Sequence, residues 1–139
     1  MGFFIRFFLL FSVLLSGERL LYSSENDLKE IPEGVMAALA TGNAKEISKH
    51  CHTSIQLILL EKDGMYSREQ AEQILRNFFQ QHQPTRFMVR HEGGTASRDS
   101  RFVIGILQTG KGIYRVSLFM KIINGNLSIH QLRIEEDNV

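Results

Sequence analysis

From Pro84 onward the apolar residues of this chain recur at every second position, and most of the segments that do so are joined by very short connections. Residues 86–92, 101–109, 113–123 and 127–135 each alternate in this way, which places successive side chains on opposite faces of a strand. "GKG" and "NGN" separate the last three segments, and a parallel return would need a dozen residues or more. The second half therefore reads as a four-stranded antiparallel meander, with "GGTASRDS" as its longest connection.

Before Pro84 the period is helical. Pro32 suits a first helical turn, and Ile31, Val35, Met36, Leu39 and Ala40 follow at helical spacing until Gly42. Asn43 with Glu46 forms a capping box for a second helix that turns Ile47 and Cys51 inward. Residues 54–60 are short and rich in Ile and Leu, so they read as a buried strand closed by the turn "EKDG", with Met65 and Tyr66 beginning a second, brief one. Ser67 with Gln70 caps a third helix, whose stripe of Ala71, Ile74, Leu75, Phe78 and Phe79 runs to about Gln81. Helices in the first half and a meander in the second give an α+β fold, in the order α-α-β-α-β-β-β-β.

The amino-terminal residues obey a different rule. Phe3 to Leu15 is apolar apart from Arg6 and Ser12, and residues 7–15 have the length of a secretory h-region. A spanning helix needs about 20 apolar residues, and this run stops at Ser16. We read residues 1–23 as a signal peptide, cleaved near Ser16-Gly17 or Ser23-Ser24, and residues 24–139 as one domain, exported to the periplasm or the medium. The membrane is then met only through the leader. The single cysteine, Cys51, allows no internal disulfide, so a packed core must carry stability, and a buried apolar filler is its expected role.

Charge excludes one class of partner. The chain has 16 Lys and Arg against 15 Asp and Glu, too balanced for nucleic-acid binding, although residues 86–134 hold eight bases and two acids. Motifs are sparse. "GILQTGKG" has the spacing of a phosphate loop, but Gly112 replaces the hydroxyl such a loop needs and a strand follows instead of a helix. "HCH" at His50 to His52 points its side chains in different directions, since only residues three or four apart share a helix face. Neither a metal nor another cofactor is expected. "NLS" at Asn126 fits a glycosylation acceptor, a pattern that arises often by chance.

Function turns on the strand "YRVSLFMKII". One face takes Tyr114, Val116, Leu118, Met120 and Ile122; the other takes Arg115, Ser117, Phe119, Lys121 and Ile123. The first is the inner face. Its expected neighbours are Phe87, Val89 and His91, then Phe102, Ile104 and Ile106, with Ile55, Leu57 and Leu59 from the early strand. The last strand changes phase, as a bulge at His130 or Gln131 requires. No acid falls on these inner positions, whereas acid-base chemistry needs a carboxylate or His held in an apolar cavity. The pocket residues expected are Tyr66, His91, Phe102, Tyr114, Met120 and His130. The outer face mixes Arg86, Arg90, Arg101, Arg115 and Lys121 with Met88, Val103 and Phe119, an interface-like composition. Of these, Arg86, Arg90, Arg115, Phe119 and Lys121 are the expected partner face.

The segments "ALATGNAKEISKHC", "GMYSREQAEQILRNFF" and "YRVSLFMKIINGNLSIHQLRIEE", in this order of elements, resemble the nuclear transport factor 2-like superfamily. Their wording is most similar to an exported bacterial family known as domain of unknown function 4783. The resemblance implies a cone, in which a bent antiparallel sheet wraps three helices, with dimers commonly formed through the outer sheet surface. Enzymes of that superfamily carry carboxylates, His or Tyr inside the cone. The expected function is a non-catalytic exported domain that binds a small apolar ligand or a protein partner. One alternative is an isomerase or hydrolase pairing His91 or His130 with Tyr114 or Tyr66. The other is a homodimeric assembly module.

Overall fold

The computed structural model describes residues 30–138; the leader expected over 1–23 lies outside the described residues. Helix α1 (Glu33–Thr41) and helix α2 (Ala44–Lys49) precede a hairpin of β1 (Cys51–Leu59) and β2 (Lys62–Ser67). Helix α3 (Arg68–Gln81) leads into the meander of β3 (Pro84–Gly94), β4 (Ser100–Thr109), β5 (Gly112–Ile123) and β6 (Asn126–Glu136). The six strands form one sheet in the order β2-β1-β6-β5-β4-β3.

Two expectations about the sheet are corrected. The brief strand expected at Met65 is a full partner of β1, because the chain turns at Leu60 and Glu61 rather than through "EKDG". Leu60 takes the positive φ of 55° required at the first central position of such a tight turn. The sheet is also mixed, since β1 runs parallel to β6. α3 is the long connection between the hairpin and the meander that such an arrangement requires.

Local chemistry explains where the elements begin and end. Gly42 stops α1 in the left-handed conformation, φ 72°, and a β-carbon there would press on Pro84 and the Phe79 ring. The Asn43 side chain accepts from the Glu46 amide, while the Glu46 carboxylate turns to Lys49 and His50 rather than back to the cap. Ser67 and Gln70 form the complete reciprocal box at α3; losing such a cap costs about 1 kcal/mol. The β5–β6 turn is Asn124-Gly125, both at positive φ, the sequence that primed hairpin turns prefer.

The inner face of β5 is as expected: Tyr114, Val116, Leu118 and Met120 are buried and Ile122 packs against them. They meet Ile55, Leu57 and Leu59 of β1, Ile129, Leu132 and Ile134 of β6, and the apolar stripes of the helices. β4 has the opposite phase to the one expected. Val103, Gly105 and Leu107 face the core, opposite Leu118, Val116 and Tyr114, so Phe102, Ile104 and Ile106 lie on the outer face. Both faces of β4 are apolar, so alternation alone gives it no phase; the register with β5 does. Gly105 leaves room for the Phe87 ring, which occupies the space a side chain would need. Opposite it, β3 bulges at Arg90 and the edge of the sheet bends.

Candidate functional site

The described residues form a groove of about 580 Å³ at one end of the sheet. One wall is the β1–β2 hairpin tip, with Leu59, Leu60, Glu61 and Lys62. The other is the carboxyl-terminal half of α3, where Ile74, Asn77, Phe78 and Gln81 share one stripe by their spacing of three and four. His82, just past the helix, and Glu136, at the end of β6, close the rim. The tip is held in place by the Leu60 amide, which donates to the Ile134 carbonyl at 2.8 Å. A recess of about 270 Å³ shares Leu60, Glu61 and Glu136 and adds Glu135.

His82 is fixed on three sides. Its ring stacks on Phe78 with centroids 4.4 Å apart and meets the edge of Tyr114 at 5.4 Å. Nδ1 lies 3.0 Å from the Phe78 carbonyl oxygen. A carbonyl only accepts, so Nδ1 carries the proton there, and in the neutral ring Nε2 is left as an acceptor. Tyr114 is buried between Phe78 and His82, and its phenol is raised above the ordinary value by burial first and by the Glu136 charge second.

The rim is acidic in a specific way. Glu135 takes Arg133 at 3.2 Å and Asp137 takes Arg115 at 3.0 Å. Glu61 and Glu136 have no ion pair or hydrogen bond among the described residues, and Lys62 is the one unpaired base of the lining.

The structure separates the residues expected in a pocket. Tyr66, opposite Ile55, lies on the inner side of the edge strand, and Tyr114 and Met120 are buried in the inner wall. Phe102, His91 and His130 do not join them. Phe102 pairs with Phe119 on the outer face and is 37% exposed. The Arg90 bulge turns His91 outward beside Ile104. His130 is the extra residue of the β6 bulge, and it stacks on His52 with centroids 4.4 Å apart. The expected bulge is thus present, and it carries the ring away from the core. His130 titrates below the ordinary imidazole value, through burial first and then the His52 and Lys121 charges. The pairing of His91 or His130 with Tyr114 or Tyr66 is overturned, because the sheet stands between them.

"HCH" likewise divides: His50 approaches Glu46 at 3.5 Å, Cys51 turns into the core, and His52 meets His130. Among the described residues no three His, Cys, Asp or Glu are placed to hold a metal ion.

The expected absence of inner acids is also corrected. Glu136 stands opposite Tyr114, and Glu92 stands opposite Val103, so both share the inner face at the ends of their strands. Glu92 accepts from Arg101 at 2.9 Å. Arg101, expected outside, is buried beside Met120, and its Nε has no hydrogen-bond partner among the described residues. Glu136 lies one residue past the last strand as the alternation bounds it, 127–135, and β6 runs on to include it; His82 has no signal beyond its place between a helix end and a proline.

On the outer face the expected partner residues are found as follows. Arg86 is exposed opposite Gln108, Arg90 is exposed in the bulge, and Arg115 is held by Asp137. Phe119 lies between Phe102 and Gln131, with the Lys121 ammonium 5.8 Å from its ring centre. Val103, expected there, is buried inside.

Three helices on a curved, unclosed, mostly antiparallel sheet define a protein of nuclear transport factor 2-like, cystatin-like fold. Its family follows from the sequence: the model for "Domain of unknown function (DUF4783)" matches residues 32–135, and the chain belongs to that family. It is similar to a solved DUF4783 protein from Bacteroides ovatus, at 33% identity and TM-score 0.74 over 79% of this chain and 98% of the other. A second, from Bacteroides uniformis, gives 34% and 0.74 over 79% and 100%. A cystatin-like domain of unknown function from Nostoc punctiforme shares the fold alone, at 9% identity and TM-score 0.61 over 77% and 73%. No curated protein matches the chain.

Proposed function

We propose that this is an exported binding domain that holds a small ligand of largely apolar body in the groove between the β1–β2 tip and α3. The observation that carries the reading is the groove itself. About 580 Å³ lies within the range of small-molecule sites, and Leu59, Leu60, Ile74 and Phe78 give it an apolar wall beside a few polar groups. The inner wall around Met120 and Ile129 is fully buried, so the ligand sits at the mouth of the cone rather than inside it. Octyl glucoside, below its micelle concentration, is a suitable neutral probe. Amide shifts should concentrate at Leu60, Phe78 and His82; shifts elsewhere, or none, overturn the reading.

Export rests on the apolar run over 7–15. Production with the native leader should yield a chain beginning between Gly17 and Glu25, and a chain retaining Met1 in the cytosol would contradict it.

The outer sheet face supports a second reading, assembly with another copy. Met88, Phe102, Ile104, Ile106 and Phe119 adjoin one another across β3, β4 and β5, an apolar area bordered by Arg86, Arg115 and Lys121. Sedimentation should give a dimer, and Phe119→Glu a monomer. A monomeric wild type at high concentration removes this reading.

A further inference from the structure

The groove sets apolar side chains, Leu60, Ile74 and Phe78, beside the acceptors Glu61 and Glu136, with the amides of Asn77 and Gln81 along the helix wall. Among the described residues the Glu61 and Glu136 carboxylates have no ion pair or hydrogen bond, whereas the neighbouring Glu135 and Asp137 are each satisfied by an arginine. An ionised carboxylate only accepts. The third group on the rim, His82, donates through Nδ1 to the Phe78 carbonyl, so in the neutral ring its remaining nitrogen also accepts. Among the described residues Lys62 is the one cationic side chain of the lining, and it has no ion pair there.

An anionic head would meet two like charges here, and a neutral head would leave both carboxylates to water. An ammonium carries three donors and no acceptor, and it complements all three groups. We propose that the groove recognises a small aliphatic primary amine, its hydrocarbon body against Phe78, Ile74 and Leu60 and its ammonium at Glu61, Glu136 and His82. The elevated phenol of Tyr114, which Glu136 helps to raise, is consistent with a negative field at this end of the fold. The proposal rests on the groove reading above and adds the charge of the ligand to it.

Three probes with one octyl chain separate the two claims: octylammonium, octyl glucoside and octanoate, titrated at pH 7 into the protein purified in its exported form. Octylammonium should bind about tenfold or more tightly than the glucoside, a difference of about 1.4 kcal/mol or more, and octanoate should bind most weakly. The preference should shrink as salt is raised. In the Glu61→Gln, Glu136→Gln double variant the ratio of ammonium to glucoside affinity should fall to near one. Equal wild-type affinity for ammonium and glucoside at the groove amides overturns the amine assignment and leaves the groove reading standing. Failure of all three to shift those amides overturns both.

Discussion

Tyr114 and Glu136 stand opposite each other at the end of the β5–β6 ladder, the phenol buried in the inner wall and the carboxylate on the rim of the groove. Burial is the larger cause of the raised phenol and the Glu136 charge the smaller. Glu136→Gln should therefore lower the Tyr114 midpoint without returning it to the ordinary value of about 10. Ultraviolet titration of the single variants, with Tyr66→Phe as reference, follows the change. Because the folded state holds this proton more tightly than the unfolded chain, the Tyr114 contribution to stability is full below pH about 10 and is lost as pH rises through the folded midpoint. An unchanged midpoint in the glutamine variant would show that the two groups do not interact.

Gly105 supplies a prediction about the bend of the sheet. A β-carbon at this position would lie 2.4 Å from the Phe87 ring and 2.8 Å from the Met88 carbonyl oxygen, which is backbone and cannot swing aside. Gly105→Ala should cost about 1–3 kcal/mol in denaturant unfolding. Gly110, with nothing within 4 Å and no positive φ, is the control: its alanine variant should fall within about 0.5 kcal/mol of wild type. Equal effects at the two positions would mean that Phe87 does not fill the Gly105 site.

The contrast between those glycines also explains what the sequence made legible. Elements with distinct local chemistry were readable: Ser67 and Gln70 mark the start of α3, Asn124-Gly125 the last hairpin, and the mixed polarity of β5 its inner face. Where both faces are apolar the pattern carries no phase, and only the pairing with β5 puts Phe102, Ile104 and Ile106 on the outer side. The groove was not readable at all. It is assembled from a hairpin tip, a helix end and a strand end far apart in sequence, and each of Leu60, His82 and Glu136 looks ordinary in its own neighbourhood.

His130 and His52, stacked on the outer face, should make the domain sensitive to acid. Burial and the nearby His52 and Lys121 charges disfavour imidazolium at His130, so its folded midpoint lies below the unfolded value of about 6.5. The corresponding stability is present above that value and is lost as pH falls through the folded midpoint. Proton NMR of the His130 ring should give a midpoint below 6.5, and Lys121→Gln should raise it only in part, because burial is the first cause. A His130→Asn variant should show a flatter decline of stability on acidification. A wild-type midpoint at or above 6.5 contradicts the burial seen at Nε2.

Cys51 sits at the start of β1, turned into the core, with its sulfur 3.4 Å from the Ile47 carbonyl oxygen. Burial pushes its thiol up to about 12, against a smaller opposing effect of the Arg68 charge. Since the thiolate is the reacting species, a maleimide or aromatic disulfide at pH 8 should label the native protein far more slowly than the same chain in urea, where the residue regains its ordinary acidity. The native rate should follow the opening equilibrium, and in the Gly105→Ala variant it should rise about tenfold for each 1.4 kcal/mol of stability lost if global unfolding is the route. Thiolate forms first in the unfolded chain, so the Cys51 contribution to stability is full below pH about 9 and declines as pH rises toward about 12. Rapid native labelling, indifferent to stability, would place the sulfur at the surface and contradict the burial of Cys51 in the core.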